Sequence, residues 1–429
     1  MTELARQPWM AARFTRVRCA SIADGLAAAL VVSLPWSTSA TSIIAVLWFV
    51  ALLPALDLSS LRRAVITPAG GIPVLLWMLG FAGMLWAFDV PMVERWEGLK
   101  SLSRLLAIPL LMAQFRNSER GSWVLIGFLI SCAILLLLSW LLFLAPDGPW
   151  PLAERRVTIG VPVKDYIAQA TEFTVCAFLL APFAMKAWRE HRRWLAAALS
   201  LLALAFLANV AYVANSRTAL MVVPVLLVLF AWRQCAWKGM LALLLATVIA
   251  AALTWSFSAA VRSNINNVLR EVTTFQSSAA PTRAGERLEF WRKSIGFVAQ
   301  SSLFGHGTGS IRDQFRRSVA GEAGMAAVAS SNPHNQTFAV AIQLGLVGTG
   351  LLFAMWLSHF LIFRGEGLAA WAGLVVVTQN IVGSLFNSHL FDFTHAWGYV
   401  FGVGVAAGMV LRQRRELAES ASRKSYLQI

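Results

Sequence analysis

The chain has 429 residues, of which 58% are hydrophobic and only 13% charged, with a mean hydropathy of +0.65. Soluble domains carry about 25% charged residues, and here apolar stretches of roughly 18 residues or more recur along nearly the whole length. That excludes a soluble globular enzyme and makes the chain an all-α polytopic membrane protein. The net charge of +15 then reads as basic cytoplasmic loops and affinity for anionic membrane lipids, and no nucleic-acid partner is expected.

The N-terminal segment carries Arg6, Arg13, Arg16 and Arg18 ahead of an apolar run, without a convincing small-residue cleavage site. It is expected to be a first, uncleaved span. Twelve spans are predicted, near 18–35, 40–57, 70–88, 97–115, 122–145, 165–187, 194–214, 217–232, 238–260, 333–360, 367–386 and 393–411. An even number places both termini on one side. More than half of the 36 Lys and Arg residues fall in the loops of that side, which the positive-inside rule makes cytoplasmic. The chain therefore divides into transmembrane helices 1–9 over residues 1–260, a large outer loop with short helices over 261–332, helices 10–12 over 333–411, and a cytoplasmic tail over 412–429. The four cysteines lie in spans or at cytoplasmic edges, so no disulfide framework is expected.

Several absences narrow the chemistry. There is no phosphate-binding G-x-x-x-x-G-K-[ST] loop, no H-E-x-x-H, no Asp-x-Asp pair and no G-x-S-x-G elbow. An enzyme with this sequence would need neither metal nor ATP, and its substrate would arrive already activated. "FGHGTGS", at 304–310, has the glycines of a tight turn and no lysine after them.

The positive evidence is basic. Arg217, in "NSRTAL", lies in a very short outer hairpin, where it is either a snorkelling interfacial residue or part of a functional site. Glu97, Lys100 and Arg104 are spaced along one face of the fourth span, as a self-neutralising cluster or an anion site. In the large loop, Arg283 and Arg287 are four apart, so a helix there presents two guanidinium forks on one face, suited to phosphate oxygens. Arg292 and Lys293 are expected on a solvated face. Lys164, Asp165 and Glu172 cluster at the sixth span, the two carboxylates as partners for an arginine or as a base. His389, Asp392 and His395 are expected to be interfacial hydrogen-bonding groups.

The segment "SSNPHNQTFAVAIQLGLVG", residues 331–349, joins a polar knot to an apolar run. Ser331 or Asn332 is expected to cap a helix with Pro333 and His334 in its first turn. There the helix dipole favours anions and keeps the imidazole neutral. On a continuous helix Gly345 and Gly348 lie within about 20° and 40° of His334, a small-residue stripe that turns the face into the bundle. General base and capping histidine both remain open on these grounds.

His334–Asn335, nine residues, Gly345, two residues and Gly348 form a pattern that resembles the O-antigen ligases of the O-antigen ligase/polymerase superfamily. The order of features agrees as well: Arg217 at an outer helix end, then Arg287 in "GERLEFW" within a large loop ahead of the motif helix. The resemblance implies a GT-C-like membrane glycosyltransferase, inverting, free of cofactors and metal. It would sit in a bacterial inner membrane with its active site on the periplasmic side. It implies transfer of O-antigen from undecaprenyl pyrophosphate, the donor, to lipid A–core, the acceptor. His334 would be the base, with Arg217, Arg287 and Arg283 on the pyrophosphate and Asn335 orienting base or sugar. Lys100, Arg104 and Lys164 would serve the lipid-phosphate region. An O-antigen polymerase, a protein (pilin) O-oligosaccharyltransferase and, further off, a polysaccharide or lipid transporter are the alternative readings.

Overall fold

A computed structural model describes residues 8–148, 158–235, 237–257, 283–321 and 330–426, together with 262, 263, 266 and 328. Among these residues the fold is all-helical. The helices are α1 (Pro8–Ser33), α2 (Thr38–Leu52), α3 (Leu58–Ile66), α4 (Pro68–Gly83), α5 (Met92–Ser103), α6 (Ala107–Asn117), α7 (Gly121–Leu144) and α8 (Tyr166–Arg189). They continue with α9 (Arg193–Asn209), α10 (Arg217–Gln234), α11 (Trp237–Phe257), α12 (Arg283–Gln300), α13 (Ile311–Ser318), α14 (Gln336–Ile362), α15 (Leu368–Ser384) and α16 (Phe393–Tyr426). Short polar residues begin many of them. Ser37, Asp57, Asp165, Ser216 and Asn335 each accept hydrogen bonds from the first turn of the helix that follows, which satisfies amides the helix itself cannot.

Seven helices among the described residues are long and apolar enough to cross a membrane, or eight if α3 and α4, bent by 84°, count as one. The chain is thus a multi-pass membrane protein, but the twelve expected spans do not all return as single long helices. The span expected at 97–115 is divided into α5 and α6 by a 3-10 turn at Arg104–Leu106. Lys100 and Arg104 therefore do not share the continuous face that their spacing suggested.

One large apolar core joins α1, α2, α4, α6, α14, α15 and α16. Some buried polar side chains crosslink it through paired hydrogen bonds, which stabilise polar groups in a water-free interior. Gln114 accepts from Trp48 Nε1 at 2.9 Å and donates to Asp24 at 2.9 Å. The His359 ring lies between Tyr399 Oη at 2.6 Å and the Ala69 carbonyl at 2.8 Å, tying α14 to α16 and α4.

The feature that shapes the functional end of the molecule is a break in α14. Gly345 has φ 62° and ψ −158°, a conformation essentially reserved for glycine. The break frees backbone groups in the middle of a spanning helix, and the "FGHGTGS" turn satisfies them. His306 N donates to Ile342 O at 2.8 Å and Gly307 N to Gln343 O at 2.9 Å, while Leu346 N donates to Ser302 O at 2.8 Å and Val347 N to Leu303 O at 3.3 Å. Thr308 anchors the same turn to the end of α4, its Oγ1 donating to Gly80 O at 2.6 Å. The continuous wheel that put His334, Gly345 and Gly348 on one stripe therefore does not exist. Gly345 is conformational, and what approaches it is a loop rather than a neighbouring helix.

Candidate functional site

His334 is not in the first turn of α14. Asn332 Oδ1 accepts the His334 amide at 2.8 Å, closing a local turn that competes with helix initiation, and His334 takes the left-handed conformation at φ 52°. Asn335, not Ser331 or Asn332, is the cap. Its Oδ1 accepts from Thr337 N at 2.9 Å and Phe338 N at 3.1 Å, and its Nδ2 donates to Leu385 O at 3.1 Å. The Asn335 side chain is thus fully used in fixing the residue beside the imidazole.

The ring is held by its surroundings. It stacks on Phe290 of α12, with centroids 6.1 Å apart and planes 21° from parallel. Asn387, in the loop between α15 and α16, hydrogen-bonds its side chain. Asn387 is itself fixed, its Oδ1 accepting from Asn332 Nδ2 at 3.1 Å and Ser388 N at 2.9 Å. Burial first, and the nearby Arg287 guanidinium second, push the His334 pKa below the usual imidazole value, with the Asn387 bond working the other way. The group is therefore neutral at neutral pH, able to accept a proton.

Arg287 sits one helical turn before Phe290 on α12, whose extent confirms the helix that the spacing of Arg283 and Arg287 required. The Arg283 side chain lies outside the described residues. Arg292 pairs with Glu289 at 2.6 Å. Lys293, expected on a solvated face, is instead buried, with its Nζ 3.5 Å from Ser318 O, because α13 folds back over that side of α12.

Arg217 opens α10. Before it, the last turn of α9 widens into a π-turn at Val210–Ala214, and Asn215 reverses the chain at φ 45°. A buried network supports this reversal: Gln169 donates to Asn209 at 3.0 Å, and Asn209 donates to Ser139 at 2.8 Å. The hairpin read from "NSR" is therefore present, with the guanidinium at a helix N-terminus, where anions are favoured.

These elements bring a neutral imidazole and an adjacent guanidinium together, with the helix-start arginine on α10. Residues 202–354 match the family model described as O-antigen ligase (Wzy_C). Over that interval, a little over a third of the chain, the sequence is similar to this family. A search of curated proteins gives no match. The matched interval holds Arg217, Arg283, Arg287, His334, Asn335, Gly345 and Gly348, so the O-antigen ligase resemblance read from short motifs coincides with it.

Lys100, Arg104 and Lys164 lie outside that interval, and only Arg104 and Lys164 come together. Arg104 donates to Asp392 O at 2.8 Å and covers the Phe393 ring at 5.2 Å. Lys164 binds the Leu34 carbonyl and Thr394 Oγ1, the latter at 3.0 Å. Both cations thus clamp the start of α16. Asp392 caps that helix through the His395 amide at 3.0 Å and holds the His395 ring at 2.6 Å, while His389 stacks on His395 at 4.1 Å. Asp165 caps α8, and Glu172 is buried further along the same helix. Lys100 is exposed, on the rim of a shallow cavity with Trp96 and Glu97.

Sequence reasoning missed Asn387 and Ser388. They stand just before His389 in the sequence, and only the folded chain puts them against Asn332 and His334.

Proposed function

We propose that the protein is an O-antigen ligase of the bacterial inner membrane, with a GT-C-like fold. It would transfer O-antigen from undecaprenyl pyrophosphate to a hydroxyl of lipid A–core on the periplasmic side, with both termini in the cytoplasm. The observation that carries this reading is the position of His334, set outside α14 by the Asn332 turn, clamped between Phe290 and Asn387, and beside Arg287.

The chemistry follows from the groups present. The acceptor hydroxyl oxygen attacks the anomeric carbon of the donor while the bond from that carbon to the pyrophosphate oxygen breaks, inverting the configuration. His334 takes the hydroxyl proton. The leaving group carries its electron pair away as undecaprenyl pyrophosphate, with Arg287 and Arg217 holding its added charge and Arg283, one turn before Arg287 on α12, assisting. The pyrophosphate supplies the activation, so the step asks of the protein only a base, positioned cations and alignment of the two substrates. Asn335 positions the base through the helix cap. Lys164 and Arg104 hold the start of α16 in this reading, and so maintain the loop that carries Asn387.

Purified protein reconstituted with a defined undecaprenyl-pyrophosphate glycan tests this directly. Offered lipid A–core, a second lipid-linked repeat unit or pilin as separate acceptors, it is expected to glycosylate lipid A–core without added metal or ATP. Transfer only to the lipid-linked repeat would make it a polymerase, and transfer only to pilin a protein glycosyltransferase.

A further inference from the structure

A second cavity opens two turns along α12 from the imidazole. Phe290 stacks on His334, and Phe297, seven residues later and about 10 Å along the axis, lines a cavity of about 640 Å³. Such a volume falls within the roughly 300–1,000 Å³ of small-molecule sites. The wall between the two is the buried Phe315, which meets Phe290 at 5.5 Å and Phe297 at 5.2 Å. The floor is the "FGHGTGS" turn itself, through Gly305 and His306. The cavity is therefore built on the plug that closes the break in α14 and is rigidly joined to the His334 site.

We infer that this cavity is a glycan-binding subsite, taking a hydroxyl-rich part of a substrate oligosaccharide away from the reacting bond. Its lining combines aromatic rings, Trp86, Phe88 and Phe297, with the polar side chains of Asp89, Gln300 and Gln314. Rings offer faces to the C–H surfaces of a sugar, while carboxylate and carboxamides match its hydroxyls as acceptors and donors. Two details leave hydrogen-bonding atoms at the cavity. His306 Nε2 is 2.8 Å from the Phe297 carbonyl and donates to it, which makes Nδ1 the remaining ring nitrogen at the cavity. Asp89 uses Oδ2 on Arg317 at 3.3 Å, which keeps Oδ1 for another donor.

The charges favour neutral hydroxyls over phosphate. Arg317, the arginine among the lining residues, is engaged by Asp89 and, at 2.9 Å, by Asp313. This cavity thus differs from the His334 site, where the cations lie. The identity of the ligand as a glycan rests on the transfer reading above; the cavity does not. Donor and acceptor glycans share the recognised chemistry, so the test separates them.

Calorimetry on the purified full-length protein, with delipidated core oligosaccharide and delipidated O-antigen repeat as separate probes, is the first arm. One of the two is expected to bind. Gln300→Ala and Asp89→Asn, both at exposed lining positions, should each weaken it about three- to tenfold, the loss of one hydrogen bond. In the transfer assay the KM for the matching substrate should rise by the same factor, with kcat within about twofold, since the interaction is equal in ground and transition states. Absence of binding of either probe to wild type overturns the subsite, as does wild-type affinity and KM in both variants with unchanged melting temperature. If a probe binds but lipid A–core is never glycosylated, the ligase reading falls and the subsite stands. If transfer proceeds with KM insensitive to both substitutions, the subsite falls and the ligase reading stands.

Discussion

Replacing Gly345 by alanine puts a methyl group onto the backbone of the loop that docks there. The new Cβ would fall on the Leu303 carbonyl and 2.6 Å from Phe304 N, backbone atoms that cannot rotate aside. Alanine at φ 62° and ψ −158° also costs about 1–3 kcal/mol in conformational strain. Relief by moving the loop breaks up to four hydrogen bonds between residues 302–307 and 342–347, each worth about 0.5–1.5 kcal/mol net. The sum is roughly 3–9 kcal/mol, a large share of the whole stability of an ordinary domain. At Gly350, five residues further along the same helix, an added methyl group would meet nothing within 4 Å. Gly350→Ala should therefore be neutral or stabilise by up to about 1 kcal/mol through helix propensity. Thermal unfolding in detergent, read by intrinsic fluorescence, compares the two. Gly345→Ala should melt many degrees lower or fail to accumulate, while Gly350→Ala matches or exceeds wild type. Equal melting temperatures, with transfer intact in both, would refute the docked-loop account of the break.

Arg287→Gln removes a positive charge that depresses the His334 pKa. The rate depends on the neutral imidazole, so it rises with pH through that pKa. The acid limb of the kcat/KM profile should therefore move to higher pH in the variant, in addition to a rate loss of about 10²–10³ from the missing pyrophosphate contact; an unmoved limb would separate Arg287 from the base. Asn335→Ala loses two capping hydrogen bonds and should cost about 1 kcal/mol of stability. Asn335→Asp should recover most of it, measured by the same thermal unfolding, because aspartate caps equally well.

The apolar spans, the Arg217 hairpin and the helix under Arg287 were legible in the sequence because each is a local matter: run length, a turn dipeptide, a four-residue spacing. Gly345 was legible only as a small residue. In an apolar helical run a glycine reads as a packing contact, and nothing local distinguishes that from a positive-φ break whose backbone is completed by residues 302–307. The cap was misplaced for a related reason. Ser331, Asn332 and Asn335 are all competent caps, and the choice is made by Asn332 turning back on the His334 amide and by Asn335 reaching Leu385. Lys164 and Arg104 were indistinguishable from substrate ligands by residue type. Their hydrogen bonds to Leu34, Thr394 and Asp392 join segments far apart in the chain, which spacing does not encode.

The central claim is that His334 takes the proton of the acceptor hydroxyl, and it is tested by the pH dependence of transfer in wild type and in His334→Gln. Wild type should lose activity as pH falls, with an apparent pKa below the ordinary imidazole value. The folded glutamine variant should lose about 10²–10³ of the rate or more, together with the acid limb itself. Transfer to lipid A–core at the wild-type rate and with the wild-type pH profile in His334→Gln would contradict the account.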